Sequence, residues 1–280
     1  MRRGRLLTGA MMAVVAVISY YASKQTNPIT GRTQAIALNP KQEVALGLRA
    51  APQMARQFGG EDRDAAAQAL VDEVGRKLVS STAAASTPYK FEFTVLADAK
   101  TVNAFALPGG PIFITRALYN QLENEAQLAG VLGHEVGHVV GRHSAEKIAR
   151  SEFGKQIVGA IGVATSDDRG GGIGQMGAAV VNKMMQLSYG REDELQSDSL
   201  GVRFMAESGY DPHGLINVME ILARSSGGKR KSEFMSSHPD PGNRSVEIQK
   251  EIAKRFPQGV PSNLTLGRPL GPSRRATSPS

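Results

Sequence analysis

The chain has 280 residues, with 33 basic against 26 acidic side chains, 41% hydrophobic residues and no cysteine. That composition describes a globular protein and excludes a disulfide-stapled scaffold, a cysteine-ligated zinc finger, an iron–sulfur protein and a thiol enzyme, each of which needs cysteine. Arg2, Arg3, Arg5 and Lys24 near the N-terminus, with Arg268, Arg274 and Arg275 near the C-terminus, account for the whole formal excess of +7. Residues 25–260 are therefore formally neutral and present no broad phosphate-binding face, so nucleic acid is not an expected partner.

After the three arginines, residues 6–22 are apolar apart from Thr8, Gly9 and Ser19. A run of this length exceeds the usual core of a cleaved signal peptide and sits at the low end for a membrane span. Tyr20 would stand three residues before a cut after Ala22, a poor cleavage pattern, so residues 1–24 read as an uncleaved anchor in preference to a cleaved signal peptide. Either way the segment exports the body, and the arginines keep its N-terminal side in the cytoplasm. The expected location is the periplasm, or the outer face of a bacterial inner membrane.

Residues 25–60 read as a linker followed by a helix, with Asn27-Pro28 and Thr30-Gly31 marking the linker over residues 26–32 and Asn39-Pro40 opening the helix. Residues 61–260 read as one domain. Ala66, Leu70, Val74 and Leu78 recur at four-residue spacing and predict a helix over residues 62–79. Phe91, Phe93 and Val95 alternate as in a strand, and residues 103–107 and 111–115 predict two more extended pieces around Gly109-Gly110. Helical spacing dominates from there to about residue 260. Residues 261–280, rich in proline and serine without aromatic residues, predict a disordered basic tail.

The chemistry concentrates in His134-Glu-Val-Gly-His138. With only 5 histidines in the chain, a chance H-E-x-x-H match is expected on the order of 0.005 times. Leu128, Val131, Leu132, Val136 and Val139 place the motif on a buried helix, with Asn124 and Gln127 as its capping pair. Residues four apart on a helix differ by about 40°, so His134 and His138 point at one metal ion with Glu135 beside it. Zinc is the natural occupant. Two core histidines on an apolar helix would leave Glu135 buried without a reason. Gly133, Gly137 and Gly141 add that something approaches this helix closely.

Two histidines leave zinc short of a third protein ligand. His143 is nine residues past His134, about 180° away on an unbroken helix, and reads as a surface or second-layer residue. The spacing Glu194-Leu-Gln-Ser-Asp198 puts two carboxylates on one helical face. Glu194 could reach the metal while Asp198 accepts a hydrogen bond from the far nitrogen of a ligating histidine. A solvated acidic helix start accounts for the same spacing.

The chain resembles the HtpX/BepA-like zinc metalloproteases, a family related to the CAAX prenyl endopeptidase. The resemblance rests on Asn103-Ala-Phe-Ala-Leu-Pro-Gly-Gly110, Ile112-Phe-Ile114, His134-Glu-Val-Gly-His138 with Arg142-His143, Arg191-Glu-Asp-Glu194 with Asp198, and His238-Pro with Arg244. Ser197 stands where the family commonly has Ala, and Pro111 replaces an apolar residue at the start of the second extended piece. The resemblance implies an α+β fold, a mostly helical gluzincin-like domain with a small sheet beside the H-E-x-x-H helix. It implies one Zn2+ held by His134, His138 and Glu194, with Glu135 as general base in the hydrolysis of peptide bonds. Asp198 and Arg244 would support the ligands. Residues Asn103, Ala104, Phe105 and Ala106, or the strand after Gly110, would pair with an extended protein or peptide substrate. His238 would enter the cleft as an oxyanion donor or as a displaceable zinc ligand that keeps the enzyme latent. Misassembled envelope proteins are the substrates the resemblance suggests. A zinc-containing chaperone or binding module is the alternative from another class.

Three further signals carry less. Gly172-x-Gly174-x-x-Gly177 lacks the preceding strand that a dinucleotide site requires. Residues 169–174 read as a glycine-hinged lid or a surface loop. His213, after Asp211-Pro212, reads as a helix-start residue without chemistry.

Overall fold

A computed structural model describes residues 24–36, 38–150, 188–225, 233–239 and 242–270. The described chain opens with an antiparallel hairpin, β1 (Lys24–Thr26) and β2 (Thr33–Ala35). Residues 26–32, expected as a linker, instead make its turn, and Asn27 is the cause. Its side-chain carbonyl accepts from the amides of Ile29 and Thr30, and its side-chain amide donates to the Val140 carbonyl at 2.8 Å. A side chain that copies a backbone turn and is also tied to a distant helix cannot behave as a free spacer.

Helix α1 (Pro40–Gln57) starts where expected, with a reciprocal capping box between Asn39 and Gln42 and Pro40 in the first turn. Helix α2 (Ala65–Ser80) starts three residues later than expected. Asp64 caps it through the amides of Ala66 and Ala67, and Asp62 is drawn out into an ion pair with Arg116. Strands β3 (Glu92–Leu96), β4 (Ala104–Ala106) and β5 (Pro111–Thr115) form one sheet in the order β3-β5-β4. β3 runs parallel to β5 and β4 antiparallel to it.

β5 is central and buried at every residue, because both of its faces are covered. Ile112 and Ile114 join the main core with residues of α2, while Phe113 joins a second cluster with Ala50 and Met54 of α1 and Phe58 just after it. The turn into β5 uses Gly109 at φ 78° and Gly110 at φ 130°, backbone that a Cβ would strain. Pro111 then occupies the first strand position, where a missing amide is tolerated. The strand expected after Gly110 is therefore interior and cannot pair with a substrate. β4 and β3 are the two edge strands, and β4 is the one expected to meet substrate.

Helices α3 (Arg116–Tyr119), α4 (Glu125–Val140), α5 (His143–Arg150), α6 (Arg191–Glu207), α7 (His213–Ser225), α8 (Glu233–Ser237) and α9 (Arg244–Arg255) complete the fold. This is the expected α+β architecture, mostly helical with a small sheet. Every residue of α4 is buried, since α2, α6, α7 and the sheet surround it. Residues 261–270, expected in a disordered tail, instead lie against the start of α4. The Ala126 and Glu125 amides donate to the carbonyls of Leu266 and Arg268 at 2.9 and 3.0 Å, supplying acceptors that a helix N-terminus lacks.

No helix of the described residues is long and apolar enough to cross a membrane. The N-terminal segment expected as an anchor, the glycine-rich residues 169–177 and residues 271–280 lie outside the described residues.

Candidate metal centre

Helix α4 holds both motif histidines inside the core. Its capping is as expected: the Asn124 side chain accepts from the Gln127 amide at 3.0 Å. Close packing of α4 on α6 explains Gly137, since a Cβ there would lie 2.7 Å from Ser197 Oγ and 3.0 Å from the Ser197 carbonyl oxygen. Ser197 Oγ in turn donates to the His134 carbonyl at 2.5 Å. Gly133 is different, because its nearest neighbours would be 3.6 Å away, ordinary contact. Only part of the glycine signal thus reports a close approach.

The helix ends at Val140, and two residues on Arg142 has φ 57°, a conformation unusual for a residue with a Cβ. The strain is held by buried polar contacts: the guanidinium pairs with Glu43 and donates to the Leu38 carbonyl at 2.8 Å. This break turns His143 back toward α4. His143 is fully buried, with Nδ1 2.9 Å from His138 Nδ1 and Nε2 2.9 Å from Gln196 Oε1. The second-layer reading of His143 holds, and the surface reading does not.

Glu194 and Asp198 come from the first turns of α6 and are both buried. Asp198 Oδ1 lies 2.9 Å from His134 Nδ1, as the spacing suggested. Arg244, at the start of α9, is completely buried and reaches both acids. Its Nε and Nη2 donate to the two oxygens of Asp198 at 2.9 and 2.7 Å, and its Nη1 lies 2.9 Å from Glu194 Oε2. A bidentate fork of this kind fixes the Asp198 plane.

His238 completes the cluster from the end of α8. Its Nδ1 is 3.3 Å from His134 Nε2 and 3.1 Å from Glu194 Oε1. One ligand atom each from His134, His138, Glu194 and His238 can be chosen so that all lie within 4.8 Å of one another.

The hydrogen bonds around this cluster test whether it suits a cation. A carboxylate cannot donate, so Asp198 takes the Nδ1 proton of His134 and leaves the His134 Nε2 lone pair facing inward. Gln196 Oε1 takes the Nε2 proton of His143, whose Nδ1 then accepts from His138 Nδ1 and leaves the His138 Nε2 lone pair inward too. Those two Nε2 atoms are 3.0 Å apart. Paired lone pairs beside a buried carboxylate fit a zinc ion, whose usual ligands are imidazole nitrogen and carboxylate oxygen.

Without a cation, a proton takes the place. Burial works against charge on His134, but the hydrogen bonds to Asp198 and Glu194 outweigh it and raise its pKa to about 9. Burial, with His134 nearby, holds His138 well below its usual value. Glu194 is desolvated as well, yet the surrounding histidines keep its carboxyl far below the carboxylate range. Burial pushes Glu135 the other way, upward, and neither of its oxygens has a hydrogen-bond partner among the described residues. Glu135 Oε1 is 3.6 Å from His238 Nε2.

A cavity of about 220 Å³ opens beside His238, lined by Asn103, Phe105 and Ala106 among others. Ala104, one residue along the same edge strand, is buried. Tyr189 also lines the cavity, and its ring stacks on His138 with centroids 3.9 Å apart. Nothing in the local sequence marks Tyr189 or Gln196 as site residues. His213 starts α7, and its amide and Nδ1 both meet neighbouring Asp211, in agreement with its reading as a helix-start residue.

The model of Peptidase family M48 matches residues 65–252, which contain all of these site residues. The chain belongs to that family. Among curated relatives, it is 27% identical over 276 residues to the beta-barrel assembly-enhancing protease of Escherichia coli (strain K12), covering 94% of this chain and 55% of that protein. It is 34% identical over 162 residues to the mitochondrial metalloendopeptidase OMA1 of Schizosaccharomyces pombe, covering 58% of this chain and 46% of that one. The match to the Arabidopsis thaliana OMA1 is 33% over 148 residues, 51% of this chain and 28% of that protein. The chain spans about half the length of the first of these relatives.

Proposed function

We propose that this chain is a zinc-dependent endopeptidase in which His134, His138 and Glu194 hold the metal. The carrying observation is the pair of inward Nε2 lone pairs 3.0 Å apart beside Glu194. Bound zinc would supply a Lewis acid that polarises water and the scissile carbonyl. Glu135 takes the proton of the attacking water and returns it to the departing amine. Its buried carboxylate has no hydrogen-bond partner among the described residues, and burial pushes its pKa up, which makes it a stronger base. Asp198 orients His134, His143 orients His138, and Arg244 neutralises the two buried acids. Asn103 and the edge strand after it, β4 with Ala104, Phe105 and Ala106, form the rail on which an extended substrate adds a strand.

His238 acts as the displaceable ligand that keeps the centre latent. Its Nδ1 sits inside the ligand cluster, where a fourth protein ligand closes the position a catalytic zinc keeps open. Substrates are unfolded or misassembled envelope proteins, a reading supported by the name of the beta-barrel assembly-enhancing relatives. An exported body held at the membrane by residues 6–22 agrees with that role.

The test is zinc stoichiometry and casein cleavage for the purified chain beside Glu135→Gln. One zinc per chain in both proteins, with chelator-sensitive cleavage only in the parent, is expected. Full proteolysis by a zinc-loaded Glu135→Gln would remove the general-base assignment. One zinc without cleavage, even after His238→Ala, would favour the binding-module alternative.

A further inference from the structure

The cavity beside the metal centre has linings of two kinds. Met54 of α1 and Phe58 just after it, with Phe105 and Leu107, are apolar and belong to one packed cluster. Lys147 of α5 lines the same cavity, and its Nζ is buried without a hydrogen-bond partner among the described residues. The ammonium instead lies 4.0 Å from the centroid of the Tyr189 ring, the ring that stacks on His138. One aromatic side chain therefore separates this cation from a proposed zinc ligand.

The acids nearest in effect, Asp193 and Glu194, are committed elsewhere: Asp193 pairs with Arg32 at 2.6 Å and Glu194 with Arg244 at 2.9 Å. Glu233 also lines the cavity, its carboxyl pKa pushed up by burial and neighbouring Asp98, but among the described residues it forms no ion pair with Lys147. An aromatic face satisfies an ammonium only in part. A largely desolvated cation without a carboxylate is costly unless one arrives with a ligand. Burial lowers the Lys147 pKa to about 8, opposed by Asp193 and Glu194, so the group is still mostly charged at neutral pH.

We infer that Lys147 is a specificity-determining residue that receives a carboxylate of the substrate chain in this cavity, next to the bond that is cut. The chemistry is shared by an Asp or Glu side chain and by a C-terminal carboxylate. The apolar lining then takes the stem of that residue or its neighbour. This inference rests on the peptidase reading above.

The experiment uses quenched fluorescent peptides that carry Glu or Gln at each position flanking the cut, each made with a free or an amidated C-terminus. The zinc-loaded full chain is compared with Lys147→Met, Lys147→Gln and Lys147→Arg. The parent is expected to prefer the carboxylate form by about ten-fold in kcat/KM at one position. In Lys147→Met and Lys147→Gln the ratio of kcat/KM for the carboxylate and neutral peptides should fall to about one, and Lys147→Arg should keep the preference. Which peptide shows the preference identifies side chain or terminus as the source. A parent without any preference, or an uncharged variant that retains it, overturns the inference. If neither the zinc-loaded parent nor zinc-loaded His238→Ala cleaves any peptide, the peptidase reading falls and this inference with it.

Discussion

Arg244 Nη2 donates to Asp198 Oδ1 at 2.7 Å, and neither side chain has appreciable exposure. One guanidinium thus sets the carboxylate that sets His134, from a position 110 residues away in sequence.

Arg244→Leu should leave Asp198 and Glu194 as buried acids without their cation. We expect a loss of about 3–5 kcal/mol in stability and a roughly 10–100-fold weaker hold on zinc. Arg244→Lys should rescue little, since a point charge cannot reproduce the fork. Thermal unfolding with and without zinc checks both; a variant as stable as the parent would refute the bracing role.

Zinc binding should release a proton at neutral pH, because His134 in the metal-free chain has a pKa of about 9 and His138 is already neutral. Calorimetry in buffers of different ionisation enthalpy reads the number released, about one per zinc. The same raised pKa has a consequence for stability. The His134 contribution in metal-free protein is fully present below the unfolded value near 6.5 and is lost as pH rises through about 9. Metal-free protein should therefore lose this contribution between those two pH values.

Gly137→Ala and Gly133→Ala should act in opposite directions. At residue 137 the new Cβ meets the Ser197 backbone oxygen at 3.0 Å, and the overpacking costs about 1–3 kcal/mol. At residue 133 the nearest atoms are 3.6 Å away, so the gain in helix propensity, up to about 1 kcal/mol, is retained. Denaturant midpoints of the two variants test the contrast.

Removing residues 261–280 should destabilise the domain. The carbonyls of Leu266 and Arg268 receive amides from the start of α4, and returning these to water costs on the order of 1–3 kcal/mol. An unchanged Tm on truncation would contradict the docking.

His238→Ala should cleave casein several-fold faster than the parent at equal zinc loading. A slower variant would instead make His238 an oxyanion donor. Zinc content is measured alongside, because the three remaining ligands are expected to keep the ion.

How much of this was legible beforehand follows from the range of each interaction. Facing histidines at residues 134 and 138, the capped starts of α1 and α4, and the alternation of β3 depend on neighbours a few residues apart, and the sequence by itself determined them. Glu194 and Asp198 could be assigned to one helical face, but spacing alone left a solvated helix start as an equal account. The tertiary structure decided that both are buried and that Asp198 meets His134. It also decided the docking of residues 261–270, the return of His143 through the strained turn at Arg142, and the stacking of Tyr189 on His138. Each depends on side chains or backbone brought together from distant parts of the chain, or on a backbone conformation that local preference disfavours. Periodicity carries no signal for such contacts, because their free energy exists only once the core around α4 has closed.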